Sequence, residues 1–371
     1  MSNEVFPQLA IRSHEQVVFC YDEVTGLRAI IGIHDTTLGP ALGGCRMWSY
    51  ADEAAALRDV LRLSRGMTYK SAAAGLNLGG GKAVIIGNSK SQKNEMLFRS
   101  YGRFVQGLGG RYITAEDVGT SVQDMEWARM ESDHVVGISR ALGGSGDPSP
   151  VTALGVYEGI KAALKWQTGN ESLAGRKVAI QGCGHVGYHL VKHVVEEGGT
   201  AIVCDIDRES VNRVVKDFGQ VEAVTPDAIY DAECDVFAPS ALGGVVNDDT
   251  LPRLKCGIVA GSANNILGED RHAAALAARG ILYAPDYVIN AGGLINVANE
   301  LEGYNYNRAL QQAQGIYDIT TRIFEIARDE GITTLAAADA LAERRIAALA
   351  KIKGHYVGTP ARRLSRQAHP A

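Results

Sequence analysis

A hydrophobic run, Lys177-Val-Ala-Ile-Gln181, passes through Gly182-Cys-Gly184-His185-Val186-Gly187 into Tyr-His-Leu, so a strand opens through three spaced glycines into a helix. The first glycine allows a tight turn, the second lets a pyrophosphate reach the backbone, and the third lets the helix pack on the strand. N–H groups of the first helical turn then face the phosphates. A second apolar run, Thr200-Ala-Ile-Val-Cys204, ends at Asp205, roughly 20 residues after the first glycine, where a carboxylate accepts bonds from an adenosine ribose. Glycine spacing alone is a weak sign; its setting between two strands and a helix makes it specific. We therefore expect a Rossmann-type, doubly wound domain that binds a dinucleotide through Gly182, Gly184, Gly187 and Asp205. The carboxylate would repel a 2′-phosphate, which favours NAD over NADP, with Arg208 the one residue that softens that preference.

Further short runs fit the same sheet: Asp235-Val-Phe-Ala-Pro-Ser, Gly257-Ile-Val-Ala-Gly-Ser-Ala-Asn264-Asn265 and Ile281-Leu-Tyr-Ala-Pro-Asp. Each ends in small or polar residues, where ligands bind at the carboxyl ends of parallel strands. Tyr287 to Asn296, through Asn290, reads as a turn that brings the chain back to the cleft. Helices are expected over about 309–329 and 334–351. Upstream, residues 15–22 and 27–34 read as a hairpin about Gly26, and Thr36 to Met47 as a glycine-rich connection. Helical spacing follows over about 52–70, a short strand at Ala83–Ile86, a helix over 94–108, and a strand from Arg111 running into Ala115-Glu-Asp117. This first half is also α/β. Gly143-Gly-Ser-Gly-Asp-Pro-Ser-Pro150 is the clearest linker. A helix should start after it, with Ser149 as N-cap and Pro150 in the first turn. We expect a substrate and oligomerisation domain over 1–146, completed by the C-terminal segment 334–371. The NAD-binding domain would cover 147–333, with the cleft between the two.

The stretch Gly66-Met-Thr-Tyr-Lys70-Ser-Ala-Ala-Ala-Gly-Leu-Asn-Leu-Gly-Gly-Gly-Lys82 carries two lysines in otherwise almost uncharged surroundings. Two ammonium groups held close each disfavour protonation of the other. One would hold a carboxylate while the other, with a lowered pKa, acts as a base. The same residues also fit a helix end and a flexible glycine turn carrying two solvated lysines. A phosphate-binding P-loop does not fit, since GxxxxGK[ST] needs a glycine where Leu76 stands and a hydroxyl where Ala83 stands.

With 371 residues there is room for about two domains. A net charge of −5 and a pI near 6.0 give no nucleic-acid surface. The only basic cluster, Arg362-Arg363-Leu-Ser-Arg366, reads as a frayed or interface-bound end. Six cysteines with no CxxC pair read as core residues of a reducing compartment and argue against a zinc alcohol dehydrogenase. No leader-like N-terminus or long apolar run is present, so a cytoplasmic protein without membrane contact is expected. His185, His189 and His193 recur at helical spacing and read as a partly solvated face rather than a metal site, so no metal is expected.

Taken together, Gly39-Pro-Ala-Leu-Gly-Gly44, Gly66-Met-Thr-Tyr-Lys70, Gly79-Gly-Gly-Lys82, Thr114-Ala-Glu-Asp117-Val-Gly and Pro285-Asp-Tyr-Val-Ile-Asn-Ala-Gly-Gly293 resemble the amino-acid dehydrogenase superfamily over nearly the whole chain. Glutamate, leucine, valine, phenylalanine and tryptophan dehydrogenases make up that superfamily. The segments Ile33–Gly44 and Ala72–Lys82 look most like the leucine dehydrogenase branch.

The resemblance implies an NAD-dependent enzyme that deaminates a branched-chain L-amino acid reversibly to the 2-oxo acid and ammonia. Lys70 and the Gly43–Gly44 backbone would hold the α-carboxylate. Lys82 would be the low-pKa base activating water, and Asp117, which opposes that lowering, the proton shuttle to the amino group. Asn265, with Asn264, would orient substrate and nicotinamide. His185, Val186, Thr152 and Asn290 would join the cofactor contacts. Homo-oligomers, octamers among leucine dehydrogenases, are also implied.

Side-chain choice would turn on position 42, where glutamate dehydrogenases resembling this chain carry a lysine. Leu42 would leave a buried distal carboxylate unpaired at a cost of several kcal/mol. Met67, Ala115, Val136, Val288 and Leu294 would complete the apolar pocket. Val136 and Leu294 depart from the leucine dehydrogenase pattern and match tryptophan dehydrogenases, which keeps aromatic substrates open. Cys45 and Ser240 also differ, without expected consequence. Loss of Lys70, Lys82 or Asp117 would have pointed to a silent NAD-binding regulator, and all three are present.

Overall fold

Alternating side chains in Gln16–Asp22 (β1) and Leu27–Asp35 (β2) form the expected antiparallel hairpin, turned at Gly26 with φ of +73°. In this computed structural model the described residues are 5–352, and the hairpin forms one edge of the first of two sheets. That sheet has five strands in the order β1-β2-β4-β3-β5, with β3 (Ala41–Trp48), β4 (Gly79–Ile86) and β5 (Tyr112–Glu116) mutually parallel. One face is covered by α2 (Glu53–Ala73), which follows the short α1 (Val5–Arg12). The other carries α3 (Glu95–Gly107) and α4 (Val122–Arg129). Asp52 and Asn94 cap their helices by accepting the N–H groups of Ala55 and Leu97.

Two sequence expectations change here. The glycine-rich connection expected at Thr36–Met47 is largely β3, in the middle of the sheet. The three glycines before Lys82 are likewise in β4 rather than a turn. Backbones approach closely at these positions: a Cβ on Gly43 would lie 1.7 Å from the Gly81 carbonyl oxygen, and one on Gly81 2.6 Å from the Tyr112 ring. Glycine here serves sheet packing, not reversal.

The second sheet is wholly parallel, with six strands ordered β11-β10-β9-β6-β7-β8. Its strands are β6 (Lys177–Gln181), β7 (Thr200–Cys204), β8 (Val221–Ala223), β9 (Val236–Pro239), β10 (Ile258–Val259) and β11 (Leu282–Tyr283). The chain winds outward from β6 to one edge and returns from β9 to the other, so this is the doubly wound order, with its switch between β6 and β9. The leading helix α5 (Ser149–Thr168) packs with α6 (His185–Glu196) over one face; α7 (Arg208–Asp217) and α8 (Arg271–Ala278) complete the winding. Ser149 is inside the first turn of α5 rather than its N-cap, which is Pro148; Pro150 does sit in that turn.

Past β11 the expected turn at Tyr287–Asn296 is two helices, α9 (Asp286–Ile289) and α10 (Gly292–Ala298). The helix expected over 309–329 is broken at Gly315 into α11 (Tyr306–Gln314) and α12 (Ile316–Glu330). Gly292 has no room for a side chain, since its Cβ would meet the Val151 carbonyl oxygen at 2.2 Å. The last helix, α13 (Thr334–Ala350), lies against α2 of the first sheet. Arg362, Arg363 and Arg366 fall outside the described residues. No helix among those described is long and apolar enough to cross a membrane.

Candidate active site

β4 runs so close under α2 that a Cβ on Gly80 would lie 2.1 Å from the Thr68 backbone nitrogen. That contact carries Lys70, in the last turn of α2, and Lys82, on β4, to the same cleft. Lys82 is 5% exposed, and its Nζ lies 2.9 Å from Asp117 Oδ1. Asp117 follows β5 directly, and Gly44 on the neighbouring strand leaves it space: a Cβ there would lie 2.9 Å from Asp117 Cβ. Burial pushes the Asp117 carboxyl up, but Lys82 and Arg46 outweigh it, so the net shift is downward. Asp117 is therefore held as the carboxylate.

Lys70 retains some exposed surface, yet its ammonium sits where burial pulls it down to about 8. Asp286 opposes that shift and the charge of Lys82 adds to it. Across the cleft, Lys70 Nζ donates to Asn264 Oδ1 at 3.2 Å. Asn290 Nδ2 donates to the same oxygen at 2.9 Å and to the Ser262 carbonyl at 3.0 Å. One hydrogen-bond chain thus joins the substrate-side lysine to the second sheet. Asn265 beside it takes a left-handed φ of +55°, uncommon for a residue with a side chain.

Leu42, Ala115, Val136 and Leu294 share one buried cluster with Ile113 and Leu78, and Met67 packs against it. Expected pocket residues from α2, β3, β5, the segment after α4, and α10 are thereby brought together. Val288 is not among them; it packs with Ala73, Ile323 and Ala337 under α13. Leu42 is 1% exposed.

At the nucleotide end, Gly182 has φ of +116°, and a Cβ on Gly187 would lie 1.9 Å from the Gly182 carbonyl oxygen. Gly184 faces open space, as a backbone that receives a pyrophosphate must. Asp205 accepts the Cys183 N–H at 2.7 Å and the Asp207 N–H at 2.9 Å, which fixes it against the loop. His185 and Val186 open α6. The Thr152 hydroxyl donates to the Pro148 carbonyl at 2.9 Å, which leaves its oxygen able to accept. Asn290 Oδ1 is buried without a hydrogen-bond partner, an acceptor free for an amide of a bound ligand. These residues fit a dinucleotide. Of the histidine stripe, His193 stacks on Tyr157 with ring centres 4.9 Å apart.

Four residues of the site were not legible from sequence. Arg46 donates to Asp117 and Asp59, both at 3.0 Å. Asp286 accepts the Ile266 N–H at 2.7 Å and so fixes the turn of Asn264 and Asn265. Glu300 accepts N–H groups of Gly137 at 3.1 Å and Ser145 at 2.7 Å, tying the linker to the end of α10. Arg345, on α13, donates to the carbonyls of Ala72, Gly75 and Leu76, which closes the C-terminus of α2. Only Arg46 left a local trace, as a charge inside an otherwise small and apolar strand.

Comparison with known proteins bears on this geometry. A family model described as Glu/Leu/Phe/Val dehydrogenase, dimerisation domain, matches residues 10–134. Another, described as Glutamate/Leucine/Phenylalanine/Valine dehydrogenase, matches 143–211 and 201–354. The chain is 58% identical over 354 residues to a leucine dehydrogenase of Thermoactinomyces intermedius, covering 95% of this chain and 96% of that one. It is 50% identical over 350 residues to a phenylalanine dehydrogenase of Bacillus thermotolerans, covering 93% and 92%. Among solved structures, L-tryptophan dehydrogenase from Nostoc punctiforme superposes with a TM-score of 0.82 at 48% identity, over 93% of this chain and 99% of that one.

Proposed function

The chain belongs to the glutamate/leucine/phenylalanine/valine dehydrogenase family, and from that premise we propose that it is an NAD-dependent L-amino-acid dehydrogenase acting on L-leucine, and also on isoleucine and valine. The observation that carries the reading is the Lys82–Asp117 pair at 2.9 Å together with Leu42 buried among apolar side chains. The larger identity to leucine than to phenylalanine dehydrogenase, 58% against 50%, supports the branched-chain choice.

Bound NAD supplies the hydride acceptor for the substrate α-carbon. Gly182, Gly184, Gly187 and Asp205 would hold its adenosine end, and Asn264 and Asn290 its nicotinamide end. Lys70 and the backbone of Gly43 and Gly44 bind the α-carboxylate, which orients the α-carbon. Asp117 takes a proton from the substrate ammonium and later returns one to the departing ammonia. Lys82 orients water on the imino carbon and takes up its proton. Leu42, Met67, Ala115, Val136 and Leu294 receive the side chain and exclude water.

We place the domain division at 146–147, with Gly143–Pro150 as the hinge on which the cleft closes. Self-association is part of the proposal, up to the octamer. The description of the first family match and the exposed Phe19 and Tyr21 on edge strand β1, 56% and 68% exposed, support it. A cytoplasmic location goes with six unpaired thiols. Reductive amination tests the reading. With NADH and ammonia, 4-methyl-2-oxopentanoate should react at least about tenfold faster than phenylpyruvate, whose ring is larger than the branched chain, and faster still than 2-oxoglutarate, whose second carboxylate would be buried unpaired. Preference for phenylpyruvate would overturn the substrate class.

A further inference from the structure

The Asp117 carboxylate does not face Lys82 alone. Its second oxygen accepts from Arg46 Nε at 3.0 Å, and the same guanidinium reaches Asp59 Oδ2 through Nη1 at 3.0 Å. Asp59 is further held by the Tyr50 hydroxyl at 2.7 Å and by Arg62 at 3.0 Å. These are half-buried groups, with side chains of Arg46, Asp59 and Asp117 21%, 17% and 22% exposed. The result is a chain, Lys82–Asp117–Arg46–Asp59–Tyr50, that leads from the cleft to α2. Planar Arg46 binds both carboxylates through separate nitrogens of one rigid fork, a fixed geometry that the single ammonium of a lysine does not supply.

We propose that Arg46 is a positioning residue that sets both the orientation and the charge state of Asp117, and that Asp59 divides the hold of Arg46 so that Asp117 stays available to Lys82 and substrate. This inference rests on the dehydrogenase reading. The Arg46 fork fixes one carboxylate oxygen and leaves Oδ1 aimed at Lys82. Asp59 draws part of the guanidinium charge to itself. Without Asp59, Arg46 would settle wholly on Asp117. Without Arg46, the buried carboxylate would keep one cation and lose its fixed rotamer. The charged and titratable neighbours are Lys82 on β4, Arg46 and Cys45 on β3, Lys70 on α2 and Glu116 beside it on the chain; Tyr50 and Tyr112 also face it. Of these, only Lys82 and Arg46 touch the carboxylate.

The test compares the pH profile of kcat/KM for L-leucine in wild type, Arg46→Gln, Arg46→Lys and Asp59→Asn, each shown folded by thermal melting. Arg46→Gln should move the acid limb to higher pH and lower kcat about 10²-fold, as a misaligned proton carrier does. Arg46→Lys, keeping charge without the fork, should recover the limb more than the rate. Asp59→Asn should move the limb to lower pH and lower kcat, because Arg46 then settles wholly on Asp117, and an unmoved limb with full activity would remove Asp59 from the proposal. Equal losses with every limb in place would overturn the proposal and leave a structural role only. Should wild type prove inactive, the titration of a 13C-labelled Asp117 carboxyl, assigned with Asp117→Asn, still decides. A higher midpoint in Arg46→Gln upholds the proposal, and an unchanged one rejects it.

Discussion

Lys82 Nζ and Asp117 Oδ1 stand 2.9 Å apart, one on β4 and the other just past the end of β5, and they meet across β3 because glycine occupies that strand at Gly44. The pair is thus a product of sheet packing. Replacing Lys82 with Met, or Asp117 with Asn, should cut kcat by about 10²–10⁴-fold, the span of a lost proton-transfer group. Affinity for NADH, read by fluorescence titration, should stay within a few-fold. A variant with near-normal kcat would remove that residue from the chemistry.

Two glycines in the same stretch predict opposite outcomes. Gly81→Ala would place a Cβ 2.6 Å from the Tyr112 ring, an overpacking that should cost about 1–3 kcal/mol and displace Lys82. Gly66 lies inside α2 with nothing within 4 Å of its added Cβ, so Gly66→Ala should stabilise by about 0.5–1 kcal/mol. Denaturant unfolding of both variants checks the contrast. Equal effects would mean that the close approach of β4 is wrong.

Lys70 makes a prediction in pH. Unfolded, a lysine titrates near about 10.4, whereas burial lowers Lys70 to about 8 in the fold. Between those values the unfolded chain holds more protons, so this group's contribution to stability rises with pH. It is complete above the unfolded value and lost as pH falls through about 8. Wild type should gain stability relative to Lys70→Met between pH about 8 and about 10, and KM for the amino acid should rise as Lys70 loses its charge. A flat difference would contradict it.

Leu42→Lys tests the side-chain pocket. The new ammonium would enter a cluster of apolar side chains, at a cost of several kcal/mol unless the substrate brings a carboxylate. Activity on L-leucine should fall at least about 10²-fold while activity on L-glutamate becomes detectable. Unchanged leucine activity would place the substrate side chain elsewhere.

What the sequence revealed follows the range of the interactions. Gly182 to Gly187 and Asp205 act within one strand–turn–helix–strand unit, so their spacing and their setting together pointed to a nucleotide loop. β3 was hidden because Gly43 and Gly44 look like a turn, and only the neighbouring strands show that they make room for Gly81 and Asp117. The Asn-Ala-Gly-Gly run likewise resembles a turn, but packing of Gly292 on Val151 makes it helical. Arg46, Glu300 and Arg345 work through partners far along the chain, and no local pattern announces such pairings. Val288 had the right residue type and a nearby position, yet faces the helices under α13.

The measurement closest to the central claim is NADH formation across L-Leu, L-Ile, L-Val, L-Phe, L-Trp and L-Glu, each offered with NAD⁺ and with NADP⁺. Activity on the three branched-chain substrates with NAD⁺ is the expected result, joining the Leu42 pocket and the Asp205 carboxylate in one experiment. Preference for Phe or Trp would show that Val136 and Leu294 decide the pocket instead, and folded protein inactive on all six would contradict the account.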